Sequence, residues 1–181
     1  MSHYRKNLSM ILSALFLAFA FVFPFLTGHI PKIGSMLCPM HLPVLLCGFL
    51  CGWRWGAVVG FTAPLFRSLT LGAPLLFPMA ICMALELATY GAVVGILFRV
   101  LPRKAPYVYV SLLLAMLSGR FVFGAAMFIC LGIQGRQYTF AAFFSGVFAS
   151  AVPGIILQIV LIPLLVMLLD KKLLNRGIEN E

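Results

Sequence analysis

Six apolar runs follow one another along this chain, broken only by short connectors that hold turn formers or basic residues. They cover about Leu8–Leu26, Met40–Gly52, Gly56–Leu69, Leu75–Phe98, Pro106–Gly132 and Thr139–Leu169. None alternates in polarity, and each is longer than a barrel strand, so each segment must satisfy its own backbone hydrogen bonds, as a helix does. The expected fold is all-α: an integral membrane bundle of six transmembrane helices, forming one membrane domain over residues 1–181. With 63% apolar and 9% charged residues, the chain has too little polar surface to fold in water. The second and third runs hold roughly 13–14 residues against the ~20 a bilayer usually needs, so tilting, thinning or an irregular stretch is expected there.

A net charge of +9 raises the question of nucleic acid, but the basic residues lie mostly in connectors between apolar runs. Arg5, Lys6, Arg54, Arg99, Arg103, Lys104, Lys171, Lys172 and Arg176 fall on one side, against Lys32, Arg67 and Arg136 on the other. That is a topology signal, and it places both termini in the cytoplasm of a multi-pass cell-membrane protein that binds no nucleic acid. Trp53 and Trp55 then lie at the cytoplasmic interface. The first run is too long, and lacks the small-residue exit, for a cleavable signal peptide. Cys38, Cys47, Cys51, Cys82 and Cys130 are odd in number and contain no C-x-x-C pair, so they read as small packing residues. No metal site and no cofactor is expected.

Five polar residues stand alone within the apolar stretches: His41, Arg67, Glu86, Arg120 and Gln158. Each lies roughly 12–16 residues from a basic or interfacial boundary on one side, about 18–24 Å at the helical rise. They are therefore expected to meet at one level, in the outer half of the membrane under this topology. Isolated polar groups in hydrocarbon turn toward a bundle interior or a wet cavity, so this layer is the candidate binding site. The connector Gly28–Pro39 lies outside, above it, as a candidate lid.

Glu86 and Tyr90 are spaced i, i+4 and share a helix face, which must point inward. Glu86 either forms an ion pair with Arg120 or Arg67 that fixes the packing, or binds a polar solute, and both can hold at once. Two arginines against one carboxylate leave a positive excess, which favours a solute with a planar anionic group. Arg67 has the alternative of reaching to the outer interface. His41 is a candidate donor to a ligand or a helix-start residue; Gln158 bonds either a solute or a neighbouring helix.

The first run carries Ala14-Leu-Phe-Leu-Ala18, small residues four apart that let another helix approach closely. Gly48 with Gly52, and Gly56 with Gly60, share that spacing and are expected to serve internal packing. There is no nucleotide-binding loop, no chain of carboxylates for a proton relay, and no clear inverted repeat. A chain like this moves a solute only with a partner that supplies energy.

These features together resemble the substrate-binding (S) components of energy-coupling factor (ECF) vitamin transporters. The resemblance rests on six runs in under 200 residues, on Ala14-x-x-x-Ala18, and on the stretch Met40-His-Leu-Pro-Val-Leu-Leu-Cys-Gly-Phe-Leu-Cys-Gly52. Pro64-Leu-Phe-Arg-Ser68 and Glu86-Leu-Ala-Thr-Tyr-Gly91 complete it. It looks like the branch that contains pantothenate, cobalamin and queuosine-precursor components. The resemblance implies a binding protein, not an enzyme, that captures a small-molecule micronutrient from outside and binds no ATP. It further implies docking through Ala14 and Ala18 on a transmembrane coupling subunit driven by two ATPase subunits, with toppling in the bilayer.

Among solutes, pantothenate is preferred, because its carboxylate suits Arg67 or Arg120 and its hydroxyls and amide suit Glu86, His41 and Gln158. A queuosine precursor carries an amine that suits Glu86, and cobalamin requires a wider mouth. The alternatives in other classes are a structural membrane subunit with Glu86 and Arg120 paired, and an intramembrane enzyme using His41 and Glu86. The second lacks a nucleophile, a metal set and a second carboxylate.

Overall fold

A computed structural model describes residues 2–27, 39–102, 104–135 and 152–178. The described residues form six helices and no strand. They are α1 (Ser2–Thr27), α2 (His41–Cys51), α3 (Trp53–Leu71), α4 (Ile81–Val100), α5 (Ala105–Ile133) and α6 (Val152–Ile178). The candidate lid lies outside the described residues, apart from Pro39, as do Cys38 and residues 139–151 of the sixth run.

Stretches within three helices are long and apolar enough to cross a membrane: Lys6–Phe25 in α1, Leu76–Val100 leading into and through α4, and Ala105–Ile133, which is α5. α2 and the stretch Pro153–Leu169 of α6 are shorter apolar helices. The outer surface is itself apolar, with Leu69, Leu75, Val100, Phe121, Phe128 and Ile133 all widely exposed. A patch of that extent needs a non-aqueous neighbour.

α2 forms the axis. His41 to Phe49 are all buried without a break, because α1, α3, α4 and α6 surround it. At 11 residues it is about 16 Å long, half the thickness of a bilayer's hydrocarbon core. It ends at Gly52, whose φ of 88° favours glycine. The chain reverses there, and Arg54 lies over the Trp53 ring at 5.4 Å. Gly52 makes the turn, with nothing within 4 Å of a Cβ placed on it, and its backbone also packs against Gly95, where a Cβ would fall 2.8 Å from Gly52 C. Gly48, Gly56 and Gly60 serve packing as the spacing predicts, since each brings backbone of neighbouring helices into contact.

The fourth run does not begin as a regular helix. Leu76–Ala80 is an irregular wide turn with Phe77 extended (φ −121°, ψ 130°), closed by Ala80 N–H donating to Leu75 O at 2.9 Å. Pro74 and Pro78 explain it, since each lacks an N–H and clashes with the preceding turn. α4 then runs regularly from Ile81 and stops ahead of Pro102, with Leu101 extended. At the other end of the chain, α6 continues to Ile178, past Asp170, Lys171 and Lys172. Those charges do not end the helix, because Lys and Leu are good helix formers.

α4 sits against α2, α3 and α5. α1 covers α2 and α3 with the face Ser13, Phe16, Ala20 and Pro24. That leaves Ala14 and Ala18 on its outward side, both exposed.

Candidate functional site

Glu86 is the centre of a buried polar cluster drawn from three helices. On its own helix, one turn on, Tyr90 donates its phenol hydrogen to Glu86 Oε1 at 2.8 Å. Arg120 Nη1 of α5 lies 3.1 Å from the same oxygen. His41 Nε2, at the first residue of α2, lies 3.7 Å from it, and the imidazole sits 5.3 Å from the Tyr90 ring. All four residues are buried, Glu86 to 2% exposure.

Helix geometry accounts for the convergence. The i, i+4 spacing aims Glu86 and Tyr90 at one place. Gly119 then lets α5 approach, since a Cβ there would fall onto Tyr90 Cε1 and Cδ1 and within 3.0 Å of Glu86 O. The neighbouring Arg120 is thereby brought to the carboxylate. A buried carboxylate requires such partners, because an unpaired charge away from water is costly. Tyr90→Phe removes the hydrogen bond and is expected to cost about 1.5–3 kcal/mol, as usual for a bond to a charged group. A lowered thermal midpoint of the detergent-solubilised protein checks it.

The other two predicted residues take different positions. Arg67 of α3 does not join Glu86. Its Nη1 lies 3.7 Å from Met40 Sδ and its guanidinium carbon 5.9 Å from the Phe25 ring. Met40 is buried and immediately precedes His41, so Arg67 borders the cluster through one side chain. Gln158 is 1% exposed on α6, which packs against α2 and α5. Buried polar atoms without a hydrogen-bond partner include His41 Nδ1, Arg67 Nε and Gln158 Oε1. A cleft of about 160 Å³, lined by Leu113, Met116, Leu117, Arg120 and Ile155, reaches Arg120 between α5 and α6.

Met40 and Gly119 were not among the residues the sequence singled out. A Met beside a polar residue in an apolar run carries no signal of its own. Gly119 carried one, a glycine directly before an isolated arginine. The cysteines within the described residues, Cys47, Cys51, Cys82 and Cys130, are all free. Cys82 and Cys130 Sγ lie 3.8 Å apart between α4 and α5. No group of three or more His, Cys, Asp or Glu side chains is arranged to hold a metal among the described residues.

Comparison with family models matches residues 8–166 to the substrate-specific component of ECF transporters. The chain belongs to that family. A match over nearly all of the helical body makes this chain a transporter subunit for capturing a small-molecule substrate, rather than an enzyme, and a multi-pass membrane protein. Comparisons with curated proteins and with solved structures found no match.

Proposed function

We propose that this S component captures a vitamin-like micronutrient from outside the cell and releases it inward by toppling on an ATP-driven coupling module. All six helices lie within the bilayer as one membrane domain, with both termini cytoplasmic. His41, Arg67, Glu86, Tyr90, Arg120 and Gln158 form the binding layer. The observation that carries this reading is the cluster itself. A membrane bundle that needed only packing has little use for a carboxylate, a phenol, an imidazole and a guanidinium at one point. Buried polar atoms of His41, Arg67 and Gln158 lack hydrogen-bond partners, and such atoms in a native protein call for an explanation, of which a ligand is one.

Pantothenate is the preferred solute, with queuosine precursors and cobalamin as alternatives. The test is mass spectrometry of small molecules released from the gently purified protein. A stoichiometric pantothenate, deazaguanine or corrinoid signal is expected. A protein that carries none, and binds none when they are added, overturns this choice of solutes in favour of another solute or of a structural subunit. The 3.1 Å Glu86–Arg120 pair is the observation that favours that second reading.

Docking is assigned to Ala14 and Ala18. Their outward exposure on α1 supports a flat strip open to a partner helix. The partner is the transmembrane coupling subunit, itself driven by two ATPases. Ala14→Trp and Ala18→Trp are each expected to abolish uptake by cells while leaving solute affinity unchanged within about twofold, since neither side chain touches the bundle interior. Loss of solute binding in either variant removes the docking assignment.

A further inference from the structure

Resting on the capture reading, we infer that the solute is an anion whose charged group is taken by Arg67, Arg120 being committed to Glu86.

The argument starts from how few acids the chain holds. There are four, and Asp170, Glu179 and Glu181 all fall in the last twelve residues. Glu86 is therefore the one carboxylate inside the apolar body. Its Oε1 receives Tyr90 Oη at 2.8 Å, with Arg120 Nη1 at 3.1 Å and His41 Nε2 at 3.7 Å. The Glu86–Arg120 pair is neutral as a unit, and taking either partner away would leave a buried charge uncompensated. An amine-bearing solute would have to displace a guanidinium to reach Glu86.

Arg67 differs. Among the described residues it has no carboxylate partner. Its contacts are a thioether sulfur at 3.7 Å, which is a weak acceptor, and the Phe25 ring face at 5.9 Å. Its Nε is buried and unbonded. The side chain is only partly buried. It turns onto buried Met40, next to His41, and so toward the cluster. A guanidinium presents a planar fork of donors that matches a carboxylate bidentately. One negative charge on the solute neutralises Arg67 and leaves the Glu86–Arg120 pair untouched. His41, the residue after Met40 in sequence, has its Nδ1 buried without a partner. The chemical class is thus a small solute with one carboxylate or equivalent anionic group, and with polar atoms near it for the imidazole.

The test uses four probes on the purified full-length protein: pantothenate, its neutral alcohol pantothenol, the amine 7-aminomethyl-7-deazaguanine, and cobalamin. Affinities are measured for the wild type, Arg67→Met, Arg67→Lys and Arg120→Met, with the thermal midpoint of each protein recorded without probe. Binding of pantothenate is expected, with pantothenol about 100-fold weaker, as for the loss of a charge-assisted pair worth about 3 kcal/mol. Arg67→Met is expected to lower pantothenate affinity about 100-fold and to leave pantothenol affinity alone. Arg67→Lys should recover roughly tenfold of the loss, since a point charge replaces the fork. The probe-free midpoint of Arg67→Met stays at or above that of the wild type, whereas that of Arg120→Met falls. Equal affinity for pantothenate and pantothenol, tight binding of the amine or of cobalamin, or an anion affinity indifferent to Arg67→Met overturns the inference. Silence with all four probes, together with no released small molecule, overturns the capture reading itself and this inference with it.

Discussion

Arg120→Met is expected to lower the unfolding free energy by about 3–5 kcal/mol, the usual cost of removing one partner from a buried pair. The loss arises because Glu86 stays buried while its 3.1 Å guanidinium contact goes, which leaves the carboxyl without its charge partner. Tyr90 and His41 remain, so the helices still assemble and the loss is measurable by reversible unfolding in mixed micelles. The double variant Arg120→Met with Glu86→Leu removes the carboxyl that was left behind. It should regain most of the lost stability, because an apolar pair of similar volume is often as stable as the ion pair it replaces. Solute affinity separates packing from binding. If Glu86 lies in the binding layer, the double variant is stable and fails to bind; if the pair only fixes packing, the double variant is stable and binds normally. A double variant as unstable as Arg120→Met alone would remove the pair from the account of stability.

The second large effect is expected at Gly56, where three helices meet. A Cβ there would sit 2.7 Å from Gly48 Cα of α2 and 2.7 Å from Gly91 O of α4. Both are backbone atoms and cannot swing aside as a side-chain tip can. Gly56→Leu must separate α3 from α2 and α4 together, at about 3 kcal/mol or more, the upper part of the usual range for overpacking. Reduced yield of folded protein and a lowered thermal midpoint are the readouts. Gly132→Leu is the matched control on α5, with nothing within 4 Å of the added atom, and should change stability by less than about 0.5 kcal/mol. Equal damage at the two positions would show that glycine content, not contact, sets the stability.

The pairing of Glu86 with Tyr90 was legible in the sequence, because an i, i+4 spacing on a helix has one geometric outcome. So was the burial of His41, Arg120 and Gln158, since an isolated polar group in an apolar run has nowhere else to turn. Which arginine answers Glu86 was not legible. Arg67 and Arg120 sit at comparable depths, and the choice depends on how α3 and α5 are rotated against α4. Gly119 decides it by letting α5 close onto Tyr90. The irregular start of the fourth run had a visible cause in Pro74 and Pro78, yet the run of apolar residues hid it, because hydropathy reports burial and not backbone geometry.

The sequence by itself determined the class of fold and the inventory of polar groups. Length of run, lack of alternation and the basic connectors admit only helices in a bilayer, and the count of one carboxylate against two arginines needs no coordinates. Only the tertiary structure decided that the short second helix is the axis of the bundle, that Arg120 pairs with Glu86, and that Arg67 faces Met40 and, among the described residues, no carboxylate. The reason is physical. Helical periodicity and hydropathy are local and can be read along a chain, whereas partner choice depends on contacts between helices far apart in sequence, set by where small residues allow backbones to touch.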